Sequence, residues 1–173
     1  GSSATDRVDY VRDADDGGDS GVTVDLGLGY AIDGFGQRDV LIDIDDVRGT
    51  AYDDNLAGDG DANKIDALAG DDTLHGGAGN DTLQGGDGND TLYAGEGFDN
   101  LYGGDGDDVL IADVGNEWNY VQPGRGSNTI IGSAQAFMGP NAGLILTYDN
   151  VSDAGGVHII VGADASGTTQ SVT

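Results

Sequence analysis

The stretch Gly76-Gly-Ala-Gly-Asn-Asp-Thr-Leu-Gln84, Gly85-Gly-Asp-Gly-Asn-Asp-Thr-Leu-Tyr93, Ala94-Gly-Glu-Gly-Phe-Asp-Asn-Leu-Tyr102, Gly103-Gly-Asp-Gly-Asp-Asp-Val-Leu-Ile111 decides the fold, because it repeats a nine-residue pattern four times without an insertion. The frame extends outward to Val40 on one side and to residue 120 on the other. Its sixth position reads Asp45, Asp54, Asn63, Asp72, Asp81, Asp90, Asp99, Asp108 and Glu117, and its eighth reads Val47, Leu56, Ile65, Leu74, Leu83, Leu92, Leu101, Leu110 and Asn119. An oxygen donor and an aliphatic side chain thus recur together, a register that a merely acidic surface does not keep.

Glycine at the first, second and fourth positions predicts a tight turn, since glycine alone reaches the required backbone angles without steric penalty and leaves carbonyls exposed. The last three residues of a unit, such as Thr82-Leu83-Gln84, are enough for a short strand whose middle side chain points inward. Two units make one coil. Stacked coils pair each strand in parallel with the strand two units away, and the aliphatic column becomes a thin core between two sheets. The expected class is therefore all-β, a parallel β-roll, with Asp72, Asp90 and Asp108 along one edge and Asp81 and Asp99 along the other.

Charge points to the partner. The chain carries 32 acidic residues against 6 Lys and Arg, a net charge of -26, and only Glu96 and Glu117 among the acids are Glu. Asp disfavours helix interiors and prefers turns. Nucleic acid and anionic membrane surfaces demand basic patches and are excluded as partners; cations are implied. No apolar run approaches the roughly 20 residues of a membrane-spanning helix. With no cysteine, disulfides cannot staple the fold. Gly1-Ser2-Ser3 reads as the remnant of a cleaved tag, so residues 1–5 are set aside.

Carboxylates stacked at the roughly 4.7 to 4.9 Å spacing of neighbouring strands repel one another strongly. Calcium between them reverses the sign. It accepts six to eight oxygens in flexible geometry, and two stacked turns offer carboxylates and glycine carbonyls, whereas magnesium needs a tighter octahedron and zinc wants His or Cys. The candidate side-chain ligands are Asp54, Asn63, Asp72, Asp81, Asp90, Asp99 and Asp108. The candidate carbonyls are those of Gly70, Gly76, Gly77, Gly79, Gly85, Gly86, Gly88, Gly95, Gly97, Gly103, Gly104 and Gly106. The alternative, Asp and Gly as mere turn formers on a solvated edge, leaves the register unexplained.

Residues 49–111 resemble the RTX repeats of bacterial proteins exported by type I secretion, whose consensus is G-G-x-G-x-D-x-U-x. The resemblance implies a right-handed β-roll, calcium held between turns, and a chain that folds outside the cell after crossing the export channel. It leaves activity open, because the same repeats accompany toxins, proteases, lipases, adhesins and polysaccharide-modifying enzymes.

Departures from the pattern grade the sites. Unit 67–75 has Ala67-Leu68 in place of the glycine pair, and unit 58–66 carries the neutral Asn63 with Asp61 at its fourth position; both are expected to bind more weakly. Unit 112–120 offers Glu117 and Asn119, so the ladder is expected to stop near there, while Pro123-Gly-Arg-Gly-Ser-Asn-Thr-Ile130 resembles one more unit shifted by two residues, with Arg125 discouraging a cation. Six inter-turn sites result, for about four to six ions. Residues 6–48 read as capping β coils without ions, with strands at Val22-Thr-Val-Asp-Leu26 and Val40-Leu-Ile-Asp-Ile44. Residues 49–120 form the calcium roll, and 121–173 a second cap and the start of a further module. For that module, Leu146-Thr-Tyr148 with Gly156-Val-His-Ile159 echoes Val8-Asp-Tyr10 with Gly21-Val-Thr-Val24. Neighbouring modules of a parent chain are therefore expected partners.

Catalysis lacks its parts. There is no Cys, His75 lies inside a repeat and His158 in the distant tail, and the abundant carboxylates sit where they must stay ionised as ligands. The expected function is a non-catalytic, extracellular structural module of a larger protein. The alternative is a calcium-dependent carbohydrate- or partner-binding module using outward His75, Tyr93 and Tyr102, with polysaccharide as ligand. Trp118 is read as cap core rather than a ligand platform.

Overall fold

The computed structural model describes residues 5–11, 20–112, 118–132, 143–146, 157–161 and 170–172, with side chains described for residues 5–11, 20–112 and 119–132. The strands are β1 (Arg7–Asp9), β2 (Thr23–Asp25), β3 (Tyr30–Ile32), β4 (Arg38–Val40), β5 (Asp46–Arg48), β6 (Asn55–Ala57), β7 (Lys64–Ala69), β8 (Thr73–Ala78), β9 (Thr82–Asp87), β10 (Thr91–Glu96), β11 (Asn100–Asp105), β12 (Val109–Ala112), β13 (Trp118–Arg125), β14 (Asn128–Gly132), β15 (Gly143–Leu146), β16 (Val157–Val161) and β17 (Gln170–Val172). From β5 to β16 they alternate between two sheets, one ordered β1-β5-β7-β9-β11-β13-β15 and the other β17-β16-β14-β12-β10-β8-β6-β2-β3-β4. Every pairing is parallel except β2 with β3, β3 with β4 and β16 with β17, which are antiparallel. This is the all-β parallel roll that the period of nine predicts.

The aliphatic register is the core. Leu56, Leu74, Leu92, Leu110 and Ile130 face Val47, Ile65, Leu83, Leu101 and Val121, all at most 1% exposed. Thr82↔Asn100 and Leu83↔Leu101 pair in register, as do Leu74↔Leu92 and Leu92↔Leu110. Each unit thus buries a single large side chain between the sheets. In the middle of the roll the strands are six residues long, not three, because the first three turn residues also pair with the next coil.

The flanks continue the stack, as expected. β1 joins β5 through Val8↔Val47, and β2 joins β6 through Val24↔Leu56. The segment 40–44 is a correction: β4 ends at Val40, and 41–45 lie in no strand. Asp43 there takes a left-handed φ of 53°, which no strand accommodates, and Val40 and Ile42 are both 74% exposed. The sequence instead makes an antiparallel meander, β2-β3-β4, that closes one end of its sheet.

At the other end the unit shifted by two residues adds a further coil. Strand pairing continues past unit 112–120 with a two-residue slip, so that Leu101 pairs with Val121 and Leu110 with Ile130. Asn119 takes the sixth position and Val121 the eighth, where the unbroken frame had placed Glu117 and Asn119. Glu117 lies outside the described residues, as does the side chain of Trp118. The two segments that echo each other occupy matching places at opposite ends of the roll. β1 and β15 lie in one sheet, β2 and β16 in the other, and Ile159 pairs with Ile130 as Val24 pairs with Leu56.

Left-handed backbone falls at the second and fourth positions, not the first: Gly77, Gly86, Gly95 and Gly104 have φ between 97° and 127°, and Gly79, Gly88, Gly97 and Gly106 between 123° and 143°. Leu68 holds the same place with φ 86°, a conformation that strains a branched side chain by about 1 to 2 kcal/mol. A Cβ on Gly86 would collide with the carbonyl of Leu68 in the preceding coil. We therefore predict opposite signs for two substitutions: Gly86→Ala lowers stability by roughly 2 kcal/mol or more, and Leu68→Gly raises it by about 1 kcal/mol. Thermal unfolding of both variants in calcium checks this.

Candidate metal centre

The sixth-position side chains are buried inside the turns, where a carboxylate has no business unless something holds it. Asp72, Asp81, Asp90 and Asp108 are at most 2% exposed. One oxygen of each is accounted for. Along one edge the N–H of Asp54 donates to Asp72 Oδ1 at 2.7 Å, Asp72 to Asp90 and Asp90 to Asp108 both at 2.9 Å, and Asp108 to Asn128 at 2.7 Å. Along the other edge Asn63 donates to Asp81 and Asp81 to Asp99, each at 2.9 Å, and Asp99 to Asn119 at 2.8 Å. The two edges are those the period assigns.

The second oxygen is the anomaly. Oδ2 of Asp72, Asp81, Asp90 and Asp108 is buried and has no hydrogen-bond donor. Beside those of Asp81, Asp90 and Asp108 lies another acceptor. A Cβ placed on Gly85 would collide with Asp90 Oδ2 and come within 2.8 Å of the Gly103 carbonyl oxygen. Equivalent cradles set Asp81 Oδ2 against the carbonyl of Ala94 and Asp108 Oδ2 against that of Pro123. Acceptors converging without a donor call for a cation.

Asn128 acts as an internal probe of the same place. Its amide stands in the sixth position of the coil after Asp108, and its Nδ2 donates to the Gly124 carbonyl at the second position of its own unit, 3.4 Å away. An Asp in that position has no such donor. Among the described residues no three acidic or histidine side chains converge as a side-chain cluster, so a cation here must draw on carbonyls as well. A mixed set of carboxylate and carbonyl oxygens is the donor chemistry of calcium.

Asp54 and Asn63 differ from the other expected ligands. Asp54 accepts from Val22 N–H at 2.7 Å and Thr50 Oγ1 at 2.9 Å on Oδ1, and from Thr50 N–H at 2.7 Å on Oδ2. Asn63 accepts from Asp59 N–H at 2.9 Å and donates to the Asp45 carbonyl at 2.7 Å. Both turns are closed by the protein itself. The units of Asp72 and Asp99 have buried alanines, Ala67 and Ala94, where the other cradles have glycine.

A second ladder escaped the sequence reading. At the fifth position Asp53 accepts from Asp71 N–H, Asp71 from Asn89, Asn89 from Asp107 and Asp107 from Ser127, at 2.7 to 2.9 Å. It runs opposite in sense to the buried ladder, and its only sequence signal is Asp or Asn repeated every 18 residues. Arg125 pairs with Asp105 of the coil before it at 3.2 Å. His75 and Tyr93 stack on one sheet with ring centroids 4.4 Å apart, while Tyr102 lies on the opposite sheet beside Tyr120. These three residues therefore do not share a face.

Residues 48–83 and 84–116 match the family model described as the RTX calcium-binding nonapeptide repeat (4 copies). No curated protein matches the chain. The repeat stretch is thus a run of RTX calcium-binding repeats. No helix among the described residues is long and apolar enough to cross a membrane.

Without a cation, desolvation pushes the Asp72 and Asp108 carboxyls up to about 7 and those of Asp81 and Asp90 up to about 6. Neighbouring carboxylates add to the rise, and the backbone N–H bonds oppose it. Groups whose affinity for protons is higher folded than unfolded stabilise the fold once protonated, and that contribution is lost as pH rises through 6 to 7. In EDTA, lowering the pH from about 8 to about 5 should therefore raise the thermal midpoint. In calcium, protons compete with the ion, so the increment that calcium adds to the midpoint should shrink over the same range. Thermal scans by circular dichroism across that range test both signs.

Proposed function

We propose that this chain is a calcium-dependent folding module: it stays loose where calcium is scarce, zips into the roll where calcium is abundant, and serves as a rigid part of a larger secreted or cell-surface protein. The observation that carries the reading is the column of buried Oδ2 atoms without donors in Asp72, Asp81, Asp90 and Asp108, with Asn128 making a hydrogen bond where they cannot. Calcium supplies the positive charge there. The chain supplies one carboxylate oxygen per turn and the carbonyls beside it, and in the stacked roll the Oδ1 bonds fix the orientation of each carboxylate.

The mechanism is linkage. An ion that binds only the folded state stabilises it by about 2.7 kcal/mol per independent site at a hundredfold excess over Kd. A few sites together rival the roughly 5 to 15 kcal/mol stability of a typical domain. Such a switch suits export, because calcium-poor cytosol leaves the chain threadable and the exterior folds it. Any catalytic activity belongs to other parts of a parent protein, since the buried carboxylates here are committed as ligands.

Circular dichroism in EDTA and then in millimolar calcium tests the switch. We expect a parallel-sheet spectrum that appears or sharpens on calcium addition, and a sheet signal indifferent to chelator would refute it. Asp90→Asn should bind one ion fewer than the native chain and lose about 2 to 3 kcal/mol of calcium-dependent stability. Its Oδ1 acceptor is kept and its buried charge is removed, so its stability in EDTA at neutral pH should rise rather than fall.

A further inference from the structure

We propose that, where the sixth residue is an aspartate, the backbone at the second position of the unit decides whether its turn takes calcium, and that Thr50 and Asp59 close theirs with a main-chain N–H standing in for the cation. The proposal rests on the calcium reading above and goes beyond it by naming what opens or shuts a turn.

In the units that contain Asp72, Asp81, Asp90, Asp99 and Asp108, the second residue is Leu68, Gly77, Gly86, Gly95 or Gly104, and each has a left-handed φ between 86° and 127°. Four of these turns have a verified donorless Oδ2, on Asp72, Asp81, Asp90 and Asp108. In the two preceding units the second residue is Thr50 or Asp59, neither of which is left-handed. In both, and in no other repeat whose bonds are described, the N–H of that residue donates to the sixth-position side chain four residues later: Thr50 to Asp54 at 2.7 Å and Asp59 to Asn63 at 2.9 Å. A left-handed second residue turns its N–H away and leaves the carboxylate to a cation; a residue in the ordinary region turns the N–H in. Asp54 shows that charge at the sixth position is not sufficient. It has the carboxylate, the stacked coil and a neighbouring Ala67 carbonyl, yet both its oxygens are already taken.

Leu68 argues from the other side. A leucine resists left-handed backbone, yet it adopts it in this unit, and Asp72 is left open. Conformation rather than residue type therefore tracks with the open turn. Glycine at the second position makes that conformation free of strain.

The test counts bound calcium per chain by equilibrium dialysis with atomic absorption. Thr50→Gly should bind one ion more than the native chain, and so should the double variant Asp59→Gly with Asn63→Asp on the opposite edge. In EDTA Thr50→Gly should melt below the native chain, and in saturating calcium that gap should close. If either variant folds in calcium and gains no ion, or if both fail to fold in saturating calcium, the proposal is overturned, because the ion is expected to replace the lost N–H. A native chain that binds no calcium would defeat the underlying reading instead, whereas native binding without the added ion defeats only this inference.

Discussion

Everything in this roll depends on a carboxylate that is half satisfied. At Asp81, Asp90 and Asp108 one oxygen accepts the N–H of the coil before it, which fixes the vertical register of the stack, and the other faces a carbonyl. The first interaction holds wherever the coils are stacked. The second is repulsive until a cation enters. Burying an unpaired carboxylate in a low-dielectric interior costs several kcal/mol, so the same residue that aligns the coils also withholds stability from them. Register and switch are two oxygens of one side chain.

The hydrophobic contribution cannot override that cost. Each unit buries one large aliphatic side chain between the sheets, and burial of such a side chain contributes about 1.5 to 3 kcal/mol. Ordering nine residues consumes several times that in conformational entropy. Backbone ladders close some of the gap, yet a core one side chain thick leaves a solenoid of this kind dependent on what fills its turns. Small domains with thin cores use disulfides or metals for the same reason; a chain without cysteine has only the second.

The period of nine made the two sheets, the aliphatic column and the division of the aspartates between the edges legible before any coordinates, because each follows from spacing alone. What spacing does not encode stayed hidden. Both hydrogen-bond ladders run between coils in opposite senses, and nothing in the letters marks which oxygen is used. The slip between Ala112 and Asn119 is announced only by the shifted unit that follows it, Pro123 to Ile130, since the unit it enters has already lost its glycine pair. Val40 to Ile44 reads as a strand by alternation, and a left-handed Asp43 breaks it. Asp54 was the subtler case: its position named it a ligand, and only the backbone at Thr50 shows that its oxygens are spoken for.

Asparagine and closed turns bracket the charged columns at both ends, and the placement has a physical reason. One column runs Asp54, Asp72, Asp90, Asp108, Asn128 and the other Asn63, Asp81, Asp99, Asn119, so every donorless carboxylate lies between neighbours that supply an N–H from below and carbonyls from above. At the start of each column a main-chain N–H from Thr50 or Asp59 takes the place of a cation. At the end an amide keeps the Oδ1 acceptor that the preceding coil requires while carrying no charge, and in Asn128 the Nδ2 also supplies the donor that an Asp would lack. Among the described residues the two columns therefore end in residues that preserve the stacking bond and carry no charge.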